Sequence, residues 1–140
     1  IRSAELYLNK AEAEAMLDKA EAKQTIKTLL NNRFEGGIPD VDGLNEKDLI
    51  SFIRDERRRE LCFEAHRWFD LRRYAVSSKY PEKKSIRHET YDKNGVLEGD
   101  YVLKPYGEDP AWVLPIPGYE IVYNQGNLVD NPQRVERKLE

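Results

Sequence analysis

Arginines and aromatic side chains are concentrated in one stretch of the chain, residues 54–73, with the sequence RDERRRELCFEAHRWFDLRR. Arginine beside aromatic rings could bind the phosphates and bases of a nucleic acid. The same residue types could instead form an ion-pair network that holds helices together. The stretch is predicted to be helical and carries seven arginines: Arg54, Arg57, Arg58, Arg59, Arg67, Arg72 and Arg73.

Acidic residues lie three or four positions from most of these arginines, the spacing that makes side chains neighbours on a helix. The predicted pairs are Asp55 with Arg58 and Arg59, Glu56 with Arg59, Arg57 with Glu60, Glu64 with Arg67, and Asp70 with Arg73. The whole chain has 23 Lys and Arg against 26 Asp and Glu, a net charge of -3. Nucleic-acid-binding domains are usually basic. The sequence therefore favours an ion-pair network and predicts no nucleic-acid partner.

The sequence offers one candidate catalytic pair and two histidines. Glu60 and Glu64 would share a helix face and could be imagined as the carboxylate pair of a glycosidase. Arginines surround them, however, and a nearby guanidinium lowers a carboxylate pKa, whereas a general acid needs a raised one. His66 and His88 have no Cys/His cluster around them, which argues against a metal site. The sequence predicts a non-enzymatic protein without metal or cofactor.

The first third of the chain has the periodicity of two amphipathic helices. One apolar stripe comprises Ile1, Ala4, Leu8, Ala11 and Ala15. A second helix is predicted to start at Asp18 with Glu21, to carry an apolar face, and to stop before Gly36-Gly37 and Pro39. That face comprises Ala22, Ile26, Leu29 and Leu30. The pair resembles one tetratricopeptide-like unit.

The remaining elements follow from start and turn signals. Asn45 with Asp48 predicts the start of a third helix, and Asn94-Gly95 predicts a hairpin turn within residues 86–103. Pro115 and Pro117 force an extended segment, and Pro117 can start a short helix over Gly118–Tyr123. The predicted fold is mainly α, with tetratricopeptide-like helix hairpins, a small β-hairpin and a loop-rich C-terminal part. We expect a single unit, helical over residues 1–76, with hairpin and loops over residues 77–140.

The stretch Glu56–Arg73 resembles the signature of the SusD/RagB family of bacterial outer-membrane nutrient-binding lipoproteins. The helix AELYLNKAEAEAML, the segment LLNNRF, and LPIP followed by Glu120-Ile121, Asn127-Leu128 and Asn131-Pro132 resemble further family motifs in the same order. Asp130 departs from the family's usual glutamine, and Gln133-Arg134 replaces its aromatic ending. The resembling part is the family's C-terminal region, and a chain that begins at Ile1 is expected to be processed or part of a longer one.

The resemblance implies function as well as fold. Members of the family are lipid-anchored on the outer face of the outer membrane, bind glycans or other nutrients, and cap a SusC-like TonB-dependent transporter. The lipid anchor would lie outside this chain. The alternative from the residues themselves is a helical-repeat scaffold for protein–protein interaction.

The signature residues are expected to be structural, because arginine forks fix carboxylates and carbonyls with defined geometry. Direct ligand contact is the alternative. Trp68 and Phe69 are expected to fill a helix–helix core. The structural signature comprises Glu56, Arg57, Arg59, Glu60, His66, Arg67, Trp68, Asp70 and Arg73.

Tyr91, Tyr101, Tyr106 and Trp112 are weak candidates for sugar binding, because loops could expose them. The alternative, that they pack the hairpin against the helices, is favoured. The ligand site is therefore left unknown.

Overall fold

Helices dominate the computed structural model, which describes residues 2–131. The predicted fold class is confirmed, with one small antiparallel sheet among the described residues. The elements in chain order are α1 (Ser3–Met16), α2 (Glu21–Asn31), α3 (Glu46–Glu60), α4 (His66–Ala75), β1 (Ile86–Tyr91), β2 (Leu97–Leu103), a 3₁₀ turn (Pro110–Trp112) and α5 (Gly118–Tyr123). No helix within residues 2–131 is long and apolar enough to cross a membrane.

The chain divides into two compact units, Ile1–Asp70 with Ser77–Tyr80, and Leu71–Val76 with Pro81–Glu140. The expectation of a single unit stays a prediction.

The core of the first unit is built from the predicted helical stripes. The four described residues of the α1 stripe are buried, and Ile1 lies outside the described residues. Small side chains at three of these positions let α2 approach α1 closely. The predicted apolar face of α2 is also buried, as are Leu49, Ile50 and Ile53 of α3. These residues form one apolar cluster with Val41 and Leu61.

The predicted start of α2 at Asp18 is wrong, because Asp18 belongs to the end of α1. Its backbone φ is 55°, in the left-handed region. The Lys19 N–H donates to the Glu14 carbonyl at 2.8 Å, and the Asp18 N–H donates to the Ala15 carbonyl at 3.2 Å. These bonds terminate a helix whose closing residue is left-handed. The α2 helix begins three residues later, at Glu21.

The predicted start of α3 is confirmed. The Asn45 side chain accepts a hydrogen bond from the Asp48 N–H at 3.0 Å. The end of α3 differs from expectation, since residues 54–73 do not form one helix. Residues 61–65 form a turn, in which Phe63 has φ of 63° and Ala65 has φ of 62°. Glu60 and Glu64 therefore do not share a helix face.

The second unit contains the predicted hairpin. Strands β1 and β2 pair antiparallel, from Ile86 opposite Leu103 to Tyr91 opposite Leu97. The turn is fixed by Asp92, whose Oδ1 accepts from the Asn94 and Val96 N–H groups, each at 2.8 Å. Helix α5 begins after Pro117, as predicted.

Candidate functional site

The signature arginine Arg57 is the centre of a buried cluster in the first unit. Its Nε donates to both carboxylate oxygens of Asp70, at 3.0 and 2.9 Å, and its Nη1 donates to Asn9 Oδ1 at 2.7 Å. The side chains of Arg57 and Asp70 are each 7% exposed. The sequence predicts Glu60, the third residue after Arg57, as its partner. The acid that Arg57 binds is instead Asp70, 13 positions along the chain. The cluster fixes three helices, α1, α3 and α4.

Glu60 instead binds arginines from other parts of the fold. Its Oε1 pairs with Arg33, after the end of α2, and lies 3.3 Å from Arg2 Nη2. Arg2 also donates to the Glu60 carbonyl at 2.6 Å and lies 2.6 Å from Glu64 Oε1. Both carboxylates that could have formed a catalytic pair are therefore engaged in ion pairs.

Arg54 is the second buried arginine of the stretch. Its Nη1 donates to the Tyr80 carbonyl at 2.8 Å, and its Nη2 lies 3.4 Å from Ser77 Oγ. Its Nε lies 3.7 Å from Oε1 of Glu12, which is also buried. Glu12 and Asn9 were not predicted from the sequence as partners of these arginines. The available signal was their position on α1, beside the apolar stripe.

Two exposed arginines of α3 follow the local rule. Arg59 pairs with Glu56, and Arg58 Nε lies 3.9 Å from Asp55 Oδ1, as predicted. Apart from Asp70, the other members of the signature are less buried than Arg57. His66 Nδ1 lies 4.0 Å from Glu5 Oε1, and the guanidinium of Arg73 lies 4.6 Å from the ring centre of its neighbour Tyr74.

The two aromatic residues of α4 differ from expectation. Phe69 is 66% exposed, so its predicted core role is wrong, and Trp68 is half-buried. The buried residues of α4 are Asp70, Leu71, Tyr74 and Ala75. At 100° per residue these occupy one side of the helix, which places Phe69 on the opposite side and Trp68 at the edge.

A pocket of about 250 Å³ lies where α3 joins α4, entirely within the first unit. Its walls come from the last turns of α3, the turn at 61–65 and the first residues of α4, including Arg67 of the signature. The Arg57–Asp70 pair also lines it. Cys62 and Phe63 also line it, and both are exposed.

The four aromatic candidates for sugar binding do not form one surface. Trp112 is 2% exposed, and its Nε1 donates to the Lys104 carbonyl at 2.7 Å. Tyr106 packs edge-on against Trp112, with ring centres 5.9 Å apart. These two residues therefore pack inside the second unit, as the alternative interpretation expected.

Tyr91 and Tyr101 are exposed on the hairpin. Tyr101 lies opposite His88, three residues before Tyr91. Because strand residues alternate between faces, Tyr91 and Tyr101 lie on opposite faces of the ribbon. The Tyr91 hydroxyl donates to Glu89, and this hydrogen bond and the adjacent negative charge raise the pKa of Tyr91. Each tyrosine can contact a ligand, but not as one flat platform.

Within residues 2–131 no group of three or more His, Cys, Asp or Glu side chains is arranged to hold a metal ion.

Similarity to known proteins identifies the family of this chain. The model of the SusD family matches residues 1–133. The chain belongs to the SusD family. It is 30% identical over 94 residues to SusD-like protein P2 of Formosa agariphila, covering 65% of this chain and 15% of that protein. It is 42% identical over 77 residues to SusD-like protein P38 of the same organism, covering 50% of this chain and 15% of that protein.

Two solved structures are similar over nearly the whole chain. A SusD-like protein from Bacteroides fragilis aligns with a TM-score of 0.57 and 27% identity, over 94% of this chain and 25% of its own. A SusD-like carbohydrate-binding protein from Bacteroides vulgatus aligns with a TM-score of 0.54 and 25% identity, over 90% of this chain and 29% of its own. The chain therefore spans less than a third of the length of these SusD-like proteins.

The departure from the SusD pattern at Asp130 has a structural role. Its Oδ1 accepts from the Ile116 N–H at 2.9 Å and from the Asn131 N–H at 2.8 Å. Asn131 Nδ2 donates to the Leu114 carbonyl at 2.6 Å. An aspartate here anchors the LPIP segment. Pro132 and Gln133-Arg134 lie outside the described residues.

Proposed function

We propose that this chain is the C-terminal part of a cell-surface component that binds a glycan or another nutrient and does not hydrolyse it. The main support for this proposal is the similarity over 90% of the chain to a solved SusD-like protein that is described as carbohydrate-binding. The proposal includes a parent protein that is lipid-anchored on the outer face of the outer membrane and works with a SusC-like TonB-dependent transporter.

The signature supports an architectural role within this proposal. Arg57 and Arg54 are buried, and their N–H groups donate to groups of the protein itself. A buried ion pair with additional hydrogen bonds fixes one arrangement of helices. The signature helices are therefore proposed as the rigid frame of the binding protein, with the ligand held by residues exposed around it.

The absence of hydrolysis is proposed from the carboxylates. A glycosidase needs two carboxylates on either side of the scissile bond, one of them able to donate a proton. Glu60 pairs with Arg33 and Arg2, and Glu64 pairs with Arg2. Both carboxylates are therefore held by arginines of the same chain.

The experiment compares the full-length parent with this chain. Isothermal titration against a panel of oligosaccharides is expected to show measurable binding by the parent and weaker or no binding by the chain, since the chain spans less than a third of the length of the similar SusD-like proteins. A reducing-sugar assay on the parent is expected to show no release of reducing ends. Release of reducing ends would contradict the non-hydrolytic part of the proposal. A parent that binds no glycan would rule out a glycan as the ligand and leave another nutrient or the scaffold function.

The transporter and the membrane are tested separately. Detergent extracts of outer membranes that contain the tagged parent are expected to co-purify a TonB-dependent transporter. Substitution of the parent's lipid-attachment cysteine is expected to release it from the membrane fraction. A parent that stays soluble in its native form contradicts the proposed location.

A second candidate function, a scaffold for protein partners, is favoured by one observation. The segment from Val113 to Val129 exposes several large apolar side chains, and α5 has no buried residue. Exposed apolar surface often marks a contact with another protein surface. A parent that captures a protein partner but binds no glycan would favour this candidate.

A further inference from the structure

We propose that the pocket between α3 and α4 binds a single acidic sugar, a uronate, through its carboxylate. The proposal rests on the proposed glycan-binding function and specifies a substrate class for one site. The site is distinct from the hairpin tyrosines, since it lies in the first unit.

The charge of the pocket lining favours an anion. Arg57, Arg58 and Arg67 line it, while Asp70 is the acidic residue among its described lining residues. The negative charge of Asp70 is paired with Arg57, whose Nε donates to both carboxylate oxygens. Two further guanidinium groups, those of Arg58 and Arg67, belong to the same lining and leave it with an excess of positive charge. Paired donors on a planar guanidinium match a carboxylate in a bidentate geometry.

Arg58 can turn toward a ligand at small cost. Its side chain is 54% exposed, and its Nε lies 3.9 Å from Asp55 Oδ1. That distance exceeds the range of a hydrogen bond, so the contact is a loose surface pair worth little. A carboxylate seated in the pocket would offer Arg58 a closer partner than Asp55 does.

The turn at residues 61–65 contributes to the pocket lining and carries an exposed aromatic ring, that of Phe63. Phe63 is fully exposed, and its φ of 63° places a bulky residue in the left-handed region. Ala65 has φ of 62° two residues later. Such conformations cost free energy in non-glycine residues and tend to occur where the geometry serves a function. The exposed ring offers an apolar face against which the C–H groups of a sugar can pack.

The pocket size limits the ligand. Its volume of about 250 Å³ falls just below the range of roughly 300–1,000 Å³ for sites that enclose drug-sized ligands. One sugar unit is therefore a better fit than an oligosaccharide. An acidic unit within or at the end of a longer glycan would enter, with the rest of the chain outside.

Cys62 provides the test, because it is the one cysteine of the sequence and it lines the pocket exposed to solvent. The rate of its alkylation by iodoacetamide, a neutral reagent, is measured with increasing glucuronate, glucose or sulfate at constant ionic strength. Glucuronate is expected to slow the alkylation severalfold and saturably, while glucose and sulfate leave it unchanged. Protection by glucose equal to that by glucuronate, or by sulfate equal to that by glucuronate, overturns the proposal.

Matched variants locate the effect. The double substitution Arg58→Gln with Arg67→Gln is expected to remove the protection by glucuronate. Arg59→Gln removes the same type of charge from the same helix outside the lining and is expected to retain it. Each variant is compared with itself, with and without sugar. Protection that survives the double substitution overturns the proposal.

The outcome is distinguishable from a failure of the proposed function. Binding of neutral oligosaccharides by the parent tests the general function and does not need this pocket. A parent that binds neutral glycans while Cys62 is unprotected by glucuronate rejects the uronate site alone.

Discussion

The Nε atom of Arg57 lies 2.9 Å from Oδ2 of Asp70, and each of the two side chains is only 7% exposed. The pair joins α3 to α4 across the turn at residues 61–65. Asn9 of α1 completes the hydrogen bonding of Arg57. Removing one member of such a pair leaves the other charge buried without its partner, which is strongly destabilising.

The first prediction concerns this pair. Asp70→Ala is expected to lower the free energy of unfolding by about 3–5 kcal/mol, because Arg57 would remain buried. Asp55→Ala, which removes a carboxylate from an exposed pair on α3, is the control and is expected to cost less than about 1 kcal/mol. Urea unfolding followed by circular dichroism measures both. Equal, small losses would mean that the Arg57–Asp70 pair is solvated in solution.

Much of the helical part follows from local pattern. The stripe of α1, the face of α2 and the Asn45 cap of α3 depend on spacing within one turn or two, which a sequence shows directly. The arginine partners depend on tertiary structure. The rule of three and four positions identifies Asp55 with Arg58 and Glu56 with Arg59, but Asp70 reaches Arg57 only after the chain has turned between α3 and α4.

That turn is the feature hardest to predict. Its left-handed residues are Phe63 and Ala65, whereas turns are usually marked by Gly, Pro, Asn, Asp or Ser. Without such a mark the sequence predicts one helix through the charged stretch. The candidate sugar-binding residues stay a prediction, and their arrangement could not be read from the sequence for a different reason. Composition located aromatics in the hairpin region, but only the register shows Tyr91 and Tyr101 on opposite faces.

The second prediction uses the strain at Ala65. Alanine at φ of 62° is less favourable than glycine, which has no Cβ and adopts this region freely. Ala65→Gly is therefore expected to stabilise the chain by roughly 0.5–1 kcal/mol, since relief of strain exceeds the added entropy of the unfolded chain.

The matched control is Ala13→Gly, at an exposed position inside α1. It is expected to destabilise by about 1 kcal/mol, the usual cost of glycine in a helix interior. Thermal melting of both variants measures the sign. Destabilisation of equal size at the two positions would show that Ala65 is not strained in solution.

The third prediction is a pH dependence in the hairpin turn. Hydrogen bonds from the Val96 and Asn94 N–H groups, with that of Val96 the larger cause, lower the pKa of Asp92. A lowered folded-state pKa means that the stabilisation is present above the unfolded value of about 4 and is lost as the pH falls through the folded value. The turn is therefore expected to loosen only under acid conditions.

NMR of the Asn94 and Val96 amides between pH 7 and pH 2 measures this change. In Asp92→Asn the amide oxygen still accepts hydrogen bonds but does not titrate, so the pH dependence at these amides is expected to disappear. Amide shifts that titrate equally in the variant would assign the effect to another group.

The fourth prediction separates structure from ligand binding among the aromatics. Trp112 is buried, packs edge-on against Tyr106 and donates to the Lys104 carbonyl. Trp112→Ala is expected to cost about 3–5 kcal/mol, the range for large aromatic residues in cores. Tyr101→Ala is the control, because its ring is exposed and no core contact is lost.

The free energy of unfolding is measured for both variants, and glycan binding is measured for both in the full-length parent. A Trp112→Ala protein that kept its stability but lost glycan binding would assign the ring to the ligand surface. Because Trp112 fills the interior of the second unit, we expect the loss of stability instead.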